Sequence, residues 1–307
     1  MNDQKLLILG GAGYIGTVLT QRLLSNGFHV RCIDMLLYGH RDSIQPFMCN
    51  IDYEFIYSDI ADVEIVNRSL EGISTVILLA GLVGDPITKK YPQVSAKIND
   101  ESIKNIIDLC TEKGLDRLIF VSTCSNYGLI NNDGFADEQY QLNPLSLYAK
   151  SKVNAESYIL SLKGNTTMNP TILRFATAFG LSPRMRFDLT VNEFTRELVI
   201  GNELLVYDAH TWRPYCHVED FARLIQMVIE APTKEVSFEV FNAGGDVNNA
   251  TKQMIVDTIL GKIPGGKVRF KEHGSDPRNY RVSFEKVKSV LGFEPKYTIQ
   301  DGIDELI

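Results

Sequence analysis

The sequence has few of the cysteines and no long apolar run of the kind that secreted, membrane-spanning or metal-binding proteins depend on. Its 307 residues include 5 cysteines and 1 tryptophan. The cysteines are dispersed without a CxxC or Cys/His cluster, so we expect reduced thiols and no metal site. The apolar runs are shorter than the roughly 20 residues of a membrane span, and the first residues do not have the pattern of a signal peptide, so we expect none. These absences predict a cytoplasmic protein without a membrane partner.

The charge balance is acidic, with 31 Lys and Arg against 38 Asp and Glu, a net charge of −7. This balance argues against a basic surface for nucleic acid or membranes. A few local arginines can still hold the phosphate of a small substrate whatever the net charge is. With 44% hydrophobic and 22% charged residues, the chain has the composition of an ordinary globular protein.

Short apolar runs alternate with helical patterns through the first 180 residues. We predict strands at 5–9, 30–34, 53–58, 74–80, 117–122 and 171–175, and helices over 14–26, 92–113 and 147–163. This alternation predicts an α/β fold with a doubly wound parallel (Rossmann) sheet. After Gly180 the elements shorten and prolines recur, which predicts a Rossmann domain at 1–180 and a smaller mixed substrate-binding region at 181–307. Residues 240–242 are candidates to return to the main sheet.

Three glycines follow the first predicted strand and open the first predicted helix. Gly10, Gly13 and Gly16 form a GxxGxxG pattern that permits a tight turn and close approach of a diphosphate to the helix start. The alternative is a glycine-rich turn without a ligand, but the position after the first strand favours a dinucleotide. Asp34 ends the second strand, where a carboxylate accepts hydrogen bonds from ribose and repels a 2′-phosphate. The cofactor is therefore predicted to be NAD rather than NADP.

A tyrosine and a lysine share one face of a predicted helix. Tyr148 and Lys152 are four residues apart, and a neighbouring ammonium lowers the pKa of a phenol from its usual value of about 10. The hydroxyls of Ser122, Thr123 and Ser125 follow the fifth strand, where one of them can join a substrate hydroxyl to the tyrosine. This arrangement predicts proton transfer coupled to oxidation of an alcohol.

With these motifs in this order, the chain resembles the extended short-chain dehydrogenase/reductase family, specifically its nucleotide-sugar epimerases and dehydratases. The matching stretches cover nearly the whole length and read GGAGYIG, SDI, LLAGLVG, STCSNYG, YAKSK, LRFATAFG, RPYCHVEDFA and DPRNYRVSFEKV. The resemblance implies that Tyr148 is the catalytic acid or base, Lys152 orients the nicotinamide ribose and Thr123 holds the sugar 4-hydroxyl. It also implies a homodimer joined through the 92–113 and 147–163 helices.

The resemblance further implies which residues bind cofactor and substrate. The NAD-binding set comprises Gly10, Gly13, Tyr14, Ile15, Gly16, Asp34, Asp59, Ile60, Ala80, Gly81, Asn99, Tyr148 and Lys152. The set for a nucleotide-sugar substrate comprises Thr123, Ser125, Arg186, Asn192, Arg213 and Arg278, with Arg213 and Arg278 on the diphosphate, where guanidinium groups suit bidentate binding. Arg184 and Arg281 are expected to be solvated or salt-bridged surface residues instead.

At several positions the chain departs from the family pattern, and these departures reduce the number of reactions that we expect it to catalyse. The dehydratases usually carry Thr-Asp-Glu where this chain has Thr123-Cys124-Ser125, so a 4,6-dehydratase is disfavoured. Ala176 and Thr177 replace a bulkier residue and an amide, which alters the predicted sugar pocket. The predicted reaction is therefore oxidation at carbon 4 of the nucleotide-activated sugar, catalysed by a 4-epimerase or a 4-dehydrogenase.

The run ATAFGLSPRMRFDLTVNEFT resembles that of bacterial enzymes that oxidise GDP-heptoses for capsule synthesis. It keeps the 4-dehydrogenase reading open and implies a role in bacterial surface-polysaccharide synthesis. The alternative from another class is a redox-sensing protein that binds NAD without catalysis. Such proteins typically lack the tyrosine or lysine that this chain retains.

The position of Asp34 predicts how the cofactor preference changes on substitution. In Asp34→Asn or Asp34→Ser, NAD should bind more weakly and NADP relatively better, because the ribose contact and the repulsion of a 2′-phosphate are both removed. The dissociation constants of both cofactors, measured by titration, give the ratio that checks this. An unchanged ratio would show that Asp34 does not contact the ribose.

Overall fold

The computed structural model describes residues 4–130, 134–274 and 278–307. Up to residue 180 the strands are β1 (Lys5–Leu9), β2 (His29–Asp34), β3 (Tyr53–Tyr57), β4 (Thr75–Leu78), β5 (Arg117–Thr123), β6 (Phe135–Ala136), β7 (Asn169–Phe175) and β8 (Thr177–Phe179). The helices there are α1 (Tyr14–Ser25), α2 (Val63–Ser69), α3 (Asp85–Lys90), α4 (Pro92–Ala96), α5 (Ile103–Glu112) and α6 (Leu147–Ser161).

The remainder of the chain mixes shorter strands with helices. Its strands are β9 (Glu203–Tyr207), β10 (Trp212–His217), β11 (Glu239–Ala243), β12 (Asn249–Thr251), β13 (Lys267–Lys271) and β14 (Arg281–Val282). Its helices are α7 (Thr190–Val199), α8 (Val218–Glu230), α9 (Thr233–Val236), α10 (Lys252–Lys262), α11 (Glu285–Leu291) and α12 (Ile299–Leu306). Among the residues that the structure describes, no helix is both long and apolar enough to cross a membrane.

Seven parallel strands form the central sheet in the order β11-β7-β5-β4-β1-β2-β3. The predicted doubly wound parallel sheet is therefore confirmed. The strand order reverses between β1 and β4, and a crevice opens at the carboxyl ends of strands at such a point. The last strand, β11, comes from beyond residue 180 and pairs with β7, with Val240 opposite Ile172. The C-terminal region thus completes the sheet, and its strands β10 and β12 join β8 in a second, three-stranded sheet.

Both faces of the sheet are covered, which explains the continuous apolar runs of its strands. Leu6 and Ile8 of β1 belong to the cluster packed beneath α1 and α8, whereas Leu7 and Leu9 belong to the cluster beneath α2, α5 and α6. A third cluster lies among α7, α10 and α12 of the C-terminal region. The predicted 92–113 helix is divided, because the segment Lys97–Ser102 between α4 and α5 is π-helical, a form found often at functional sites.

A buried ion pair joins α6 to β7 beneath the carboxyl ends of the strands. The Arg174 Nη2 atom lies 2.8 Å from Glu156 Oε2, and both side chains are at most 6% exposed. Glu156 also accepts hydrogen bonds from Ser122 and from Asn126 Nδ2, the latter at 2.8 Å. Burial acts to lower the pKa of Arg174, but the charge and hydrogen bonds of Glu156 outweigh it and raise that pKa. The pair fixes α6 against β5 and β7.

Removing one member of this pair should destabilise the fold strongly. Glu156→Ala leaves the Arg174 guanidinium buried without its carboxylate, a change that costs about 3–5 kcal/mol. Glu112→Ala, at an exposed helix end, is the matched control and should change the free energy of unfolding by less than about 0.5 kcal/mol. Urea unfolding followed by circular dichroism measures both. Equal effects of the two substitutions would contradict a supporting role of the pair.

Candidate active site

The glycine-rich turn forms a cradle between β1, α1 and β4. Gly10 has φ +89°, and a Cβ atom there would lie 2.8 Å from the backbone nitrogen of Ala80. A Cβ on Gly16 would overlap the carbonyl of Gly10, so glycine at both positions lets the turn pack closely against β4 and the start of α1. The first turn of α1 begins at Tyr14 and directs its free backbone N–H groups toward this space. The geometry fits the diphosphate of a dinucleotide.

Asp34 stands at the carboxyl end of β2 beside this cradle. Its Oδ2 accepts a hydrogen bond from the backbone N–H of Ala12 at 3.1 Å, and its Oδ1 accepts one from Leu36 at 2.8 Å. These two bonds hold the carboxylate at the mouth of the cradle while leaving lone pairs on both oxygens. The placement agrees with the predicted ribose contact of Asp34, which remains a prediction.

The far wall of the crevice follows β3 and β4. Asp59 Oδ1 accepts a hydrogen bond from the Ala61 N–H at 3.0 Å, and Ile60 is buried. Asn99, in the π-helical segment, bonds the backbone of Leu82 through both amide atoms, at 2.9 and 3.0 Å. A Cβ on Gly81 would lie 3.0 Å from the Asn99 Oδ1 atom. Asn99 therefore fixes the loop after β4 that carries Ala80 and Gly81.

Helix α6 presents Tyr148 and Lys152 at the carboxyl edge of β5. Its start is capped by Ser146, whose side chain accepts a hydrogen bond from the Ala149 N–H at 3.2 Å. Lys152 is 2% exposed; its Nζ donates to the Val121 carbonyl at 2.7 Å and lies 5.9 Å from the centre of the Tyr148 ring. The ammonium is thus held beside the phenol ring.

Burial lowers the pKa of Lys152 to about 8, while the charge of Glu156 acts to raise it. The group is mostly protonated at neutral pH and loses its proton as the pH rises through about 8. Its positive charge favours the phenolate form of a nearby tyrosine. Lys152 can therefore assist proton removal by Tyr148 below about pH 8.

The hydroxyl cluster after β5 meets the C-terminal region. Thr123 Oγ1 accepts a hydrogen bond from the Ser125 N–H at 3.1 Å. Ser125 Oγ accepts one from Arg278 Nη1 at 3.2 Å. Between them Cys124 points inward, with its Sγ 3.1 Å from the Arg174 carbonyl oxygen, and burial raises the pKa of its thiol. The position that carries Asp in the dehydratases therefore holds a buried, protonated thiol.

Arg213 and Arg278 lie next to each other beside this cluster. Arg213, on β10, is 6% exposed, and its Nη1 donates to the carbonyl oxygens of Arg278 and Trp212. Its Cζ lies 5.1 Å from the centre of the Tyr280 ring. The structure thus brings two predicted diphosphate ligands together with Ser125. Arg281 instead stacks on the rings of Phe135 and Trp212.

Tyr14 and Asn192 form an inward-facing pair. The Tyr14 hydroxyl donates to the Gly180 carbonyl at 2.6 Å and accepts from Asn192 Nδ2 at 3.1 Å. Asn192 is fully buried and also bonds the backbones of Gly180 and Arg186. Both side chains bind protein groups and fix residues 180–186, so the predicted ligand roles of Tyr14 and Asn192 remain predictions.

Arg184 and Arg186 are both partly buried over the cleft. Arg186 forms two hydrogen bonds with the Asp188 carboxylate, at 3.0 and 2.6 Å. Arg184 Cζ lies 4.4 Å from the centre of the Tyr38 ring. Burial and the charge of Arg186 lower the pKa of Arg184. Residues 180–188 fold back over the start of α1 and hold the partly exposed Arg184 against Tyr38, and the expectation that Arg184 is a surface residue without a ligand stays a prediction.

Two features of the site escaped the sequence interpretation. Glu156 follows Lys152 by four residues, so the spacing that pairs Tyr148 with Lys152 continues for one more turn and could have revealed it. The contact between Arg184 and Tyr38 joins positions 146 apart in sequence and carries no local signal. Among the described residues, no group of three or more His, Cys, Asp or Glu side chains could hold a metal ion.

The chain belongs to the NAD-dependent epimerase/dehydratase family, whose model matches residues 6–244. It is 27% identical to the low-salt glycan biosynthesis protein Agl12 of Haloferax volcanii, over 98% of this chain and 97% of that protein. It is 24% identical to a dTDP-glucose 4,6-dehydratase of Streptomyces niveus, over 99% and 91% of the two chains. The crystal structure of a UDP-glucuronic acid 4-epimerase from Bacillus cereus, in complex with UDP-glucuronic acid and NAD, matches with a TM-score of 0.89. Identity to it is 26%, and 99% of each chain is covered.

These comparisons establish the coarse activity. The protein is an enzyme of this family, and its cofactor is NAD. The cradle formed by Gly10 and Gly16, with Asp34 at its mouth, fits that cofactor. The family contains both epimerases and dehydratases, so family membership alone leaves the particular reaction open.

The paired arginines predict how nucleotides bind. Arg278→Ala and Arg213→Ala should each weaken the binding of a free nucleoside diphosphate, because a hydrogen bond to a charged group contributes about 1.5–3 kcal/mol. Isothermal titration with UDP, GDP, dTDP and CDP measures the loss. Arg281→Ala is the control and should bind the preferred nucleotide as the wild type does. Unchanged affinity in Arg278→Ala, with the fold intact, would remove these residues from the substrate site.

Proposed function

We propose that the protein is an NAD-dependent nucleotide-sugar 4-epimerase. It would oxidise carbon 4 of the sugar to a ketone and then reduce the opposite face of that ketone. The observation that carries the proposal is the placement of Tyr148, Lys152 and Thr123 at one sheet edge, between the NAD cradle and the Arg213–Arg278 pair. The 4-epimerase activity of the Bacillus cereus relative, at 26% identity, supports it.

The chain's own residues supply the proton chemistry. Tyr148 accepts the proton of the sugar 4-hydroxyl, and the protonated Lys152 makes this easier by stabilising the phenolate. Thr123 would hold the same hydroxyl. NAD, when bound, supplies the acceptor and later the donor of the hydride at carbon 4. On reduction, Tyr148 returns its proton to the carbon-4 oxygen, so the phenol ends the cycle as it began.

The residue at position 124 argues against dehydration. Elimination of water across carbons 5 and 6 needs an acid and a base, which the dehydratases place after the threonine. Cys124 is 1% exposed, and its thiol is bonded into the core. Ser125 has no charge to offer and is bonded to Arg278. These residues favour a reaction confined to carbon 4.

The direct test is incubation of the purified protein with UDP-, GDP-, dTDP- and CDP-activated sugars. Product stereochemistry by NMR and the absorbance of NADH at 340 nm are followed together. Inversion at carbon 4 without accumulating NADH is the expected result. Stoichiometric NADH and a 4-keto product would instead assign a 4-dehydrogenase. A role in surface-polysaccharide synthesis fits either outcome and the glycan biosynthesis named for the Haloferax relative.

Tyr148→Phe should abolish most of the reaction while sparing the fold. The substitution removes the oxygen that accepts the proton, and a positioned acid or base contributes about 100-fold or more to the rate. NAD content should stay at the wild-type level. Tyr158→Phe is the matched control on the same helix, since its hydroxyl faces Asp108 of α5, and it should keep near-normal turnover. Near-normal turnover in Tyr148→Phe would overturn the mechanism.

A further inference from the structure

Residues 180–188, named the strap here, lie across the start of α1. Ser182 is buried, and its Oγ donates to the Tyr14 carbonyl at 2.7 Å and lies 3.0 Å from Thr17 Oγ1. The Tyr14 hydroxyl bonds the Gly180 carbonyl from the other direction. The strap is therefore attached to the helix whose N-terminus forms one side of the NAD cradle.

One buried side chain of α7 fixes the strap at two points. Asn192 Oδ1 accepts from the Gly180 N–H at 3.0 Å, and its Nδ2 donates to the Arg186 carbonyl at 2.9 Å. The backbone between these two points is thus held at both ends. Arg184, between them, projects from a fixed support rather than from a free loop.

Arg184 reaches the opposite side of the cradle. Its guanidinium stacks on Tyr38 at 4.4 Å, and Tyr38 lies in the loop just after β2, four residues beyond Asp34. The charge of Asp34 is close enough to raise the pKa of Arg184, although burial has the larger, opposite effect. The contact joins the C-terminal region to the ribose side of the cofactor site.

The strap carries positive charge that its own carboxylate does not neutralise. Asp188 is paired with Arg186, and among the described residues Arg184 forms no ion pair with a carboxylate. A half-buried guanidinium without such a partner suits a phosphate oxygen, which accepts charge-assisted hydrogen bonds. The adjacent cradle is built for the diphosphate of NAD.

We propose that the strap closes the cofactor site, with Arg184 as a ligand of the adenosine-side phosphate of NAD and Tyr38 as its support. Release of NAD then requires the Arg184–Tyr38 contact to open. The cofactor stays bound between turnovers, as an enzyme that removes and returns one hydride requires. This inference rests on NAD as the cofactor and deepens the proposed 4-epimerase function.

The rate of cofactor release tests the strap without any sugar present. Protein loaded with NADH is mixed rapidly with excess NAD, and the decay of NADH fluorescence gives the rate constant of release. Arg184→Ala should release NADH about 10-fold faster or more, since the lost charged hydrogen bond acts mainly on dissociation. Arg184→Lys, which keeps the charge but loses the planar stacking, should fall between Arg184→Ala and the wild type.

Two further variants guard against indirect effects. Tyr38 is 60% exposed, so Tyr38→Leu should fold normally and still release NADH faster than the wild type. Arg269→Ala removes an exposed arginine paired with Glu203 on the β9–β13 sheet and should leave release unchanged. Retention of NAD through gel filtration provides a second readout, with less NAD retained by Arg184→Ala.

Two results would overturn the proposal. One is wild-type release in both Arg184→Ala and Tyr38→Leu. The other is weaker binding of a nucleoside diphosphate by Arg184→Ala with unchanged NADH release, which would assign Arg184 to the substrate. Because release is measured without sugar, a protein that epimerises no nucleotide sugar still gives a valid result for the strap. The two proposals therefore fail separately.

Discussion

The buried ion pair between Arg174 and Glu156 is the constraint on which the active site depends. It ties α6 to β7, and through Ser122 and Asn126 it also ties α6 to the end of β5. Tyr148 and Lys152 lie about two turns and one turn, respectively, before Glu156 on the same helix, and Thr123 directly follows Ser122. The distance between α6, which carries Tyr148, and the hydroxyl cluster is therefore set by two buried charges. Separating these charges would strongly destabilise the fold.

An acidic protein with a net charge of −7 concentrates cations around one cleft. Arg184 lies against Tyr38 beside the cofactor cradle, whereas Arg213 and Arg278 lie beside Ser125. Lys152 is held at the carboxyl end of β5, the strand that the Ser125 loop follows. This distribution suits one diphosphate at each group of arginines. Aromatic rings lie against two of these arginines, Tyr38 against Arg184 and Tyr280 against Arg213, which orients their planar groups.

The sheet and the cofactor class could be predicted from the sequence because each depends on residues that are close together in the chain. A strand that ends in Gly10, a helix that follows at once and Asp34 at the next strand end are contiguous signals of known geometry. The return of β11 to the sheet was harder to predict, since a five-residue strand has the same apolar pattern wherever it pairs. A π-helical turn has i→i+5 hydrogen bonds, but the 6 residues around Asn99 are too few for their side-chain pattern to distinguish it from an ordinary helix.

The roles of the arginines were the part of the site that was hardest to predict from the sequence. Arg184, Arg213 and Arg281 look alike in sequence, yet one stacks on a tyrosine beside the cofactor cradle, one is buried beside Arg278 and one covers aromatic rings at the edge. Their roles depend on how residues 180–188 and 278–282 fold back on the sheet, which are contacts between distant positions. Tyr14 and Asn192 likewise face inward because Gly180 comes close to α1, and spacing alone does not encode that approach.

The fate of hydrogen at carbon 4 tests the central claim most directly. The nucleotide sugar that the protein turns over is prepared with deuterium at carbon 4, and the product is examined by NMR and mass spectrometry. The account predicts that the deuterium is found again at carbon 4, in the inverted configuration, without exchange with solvent. Deuterium transferred to carbon 6, or released with free cofactor, would contradict an epimerase that holds its NAD throughout the cycle.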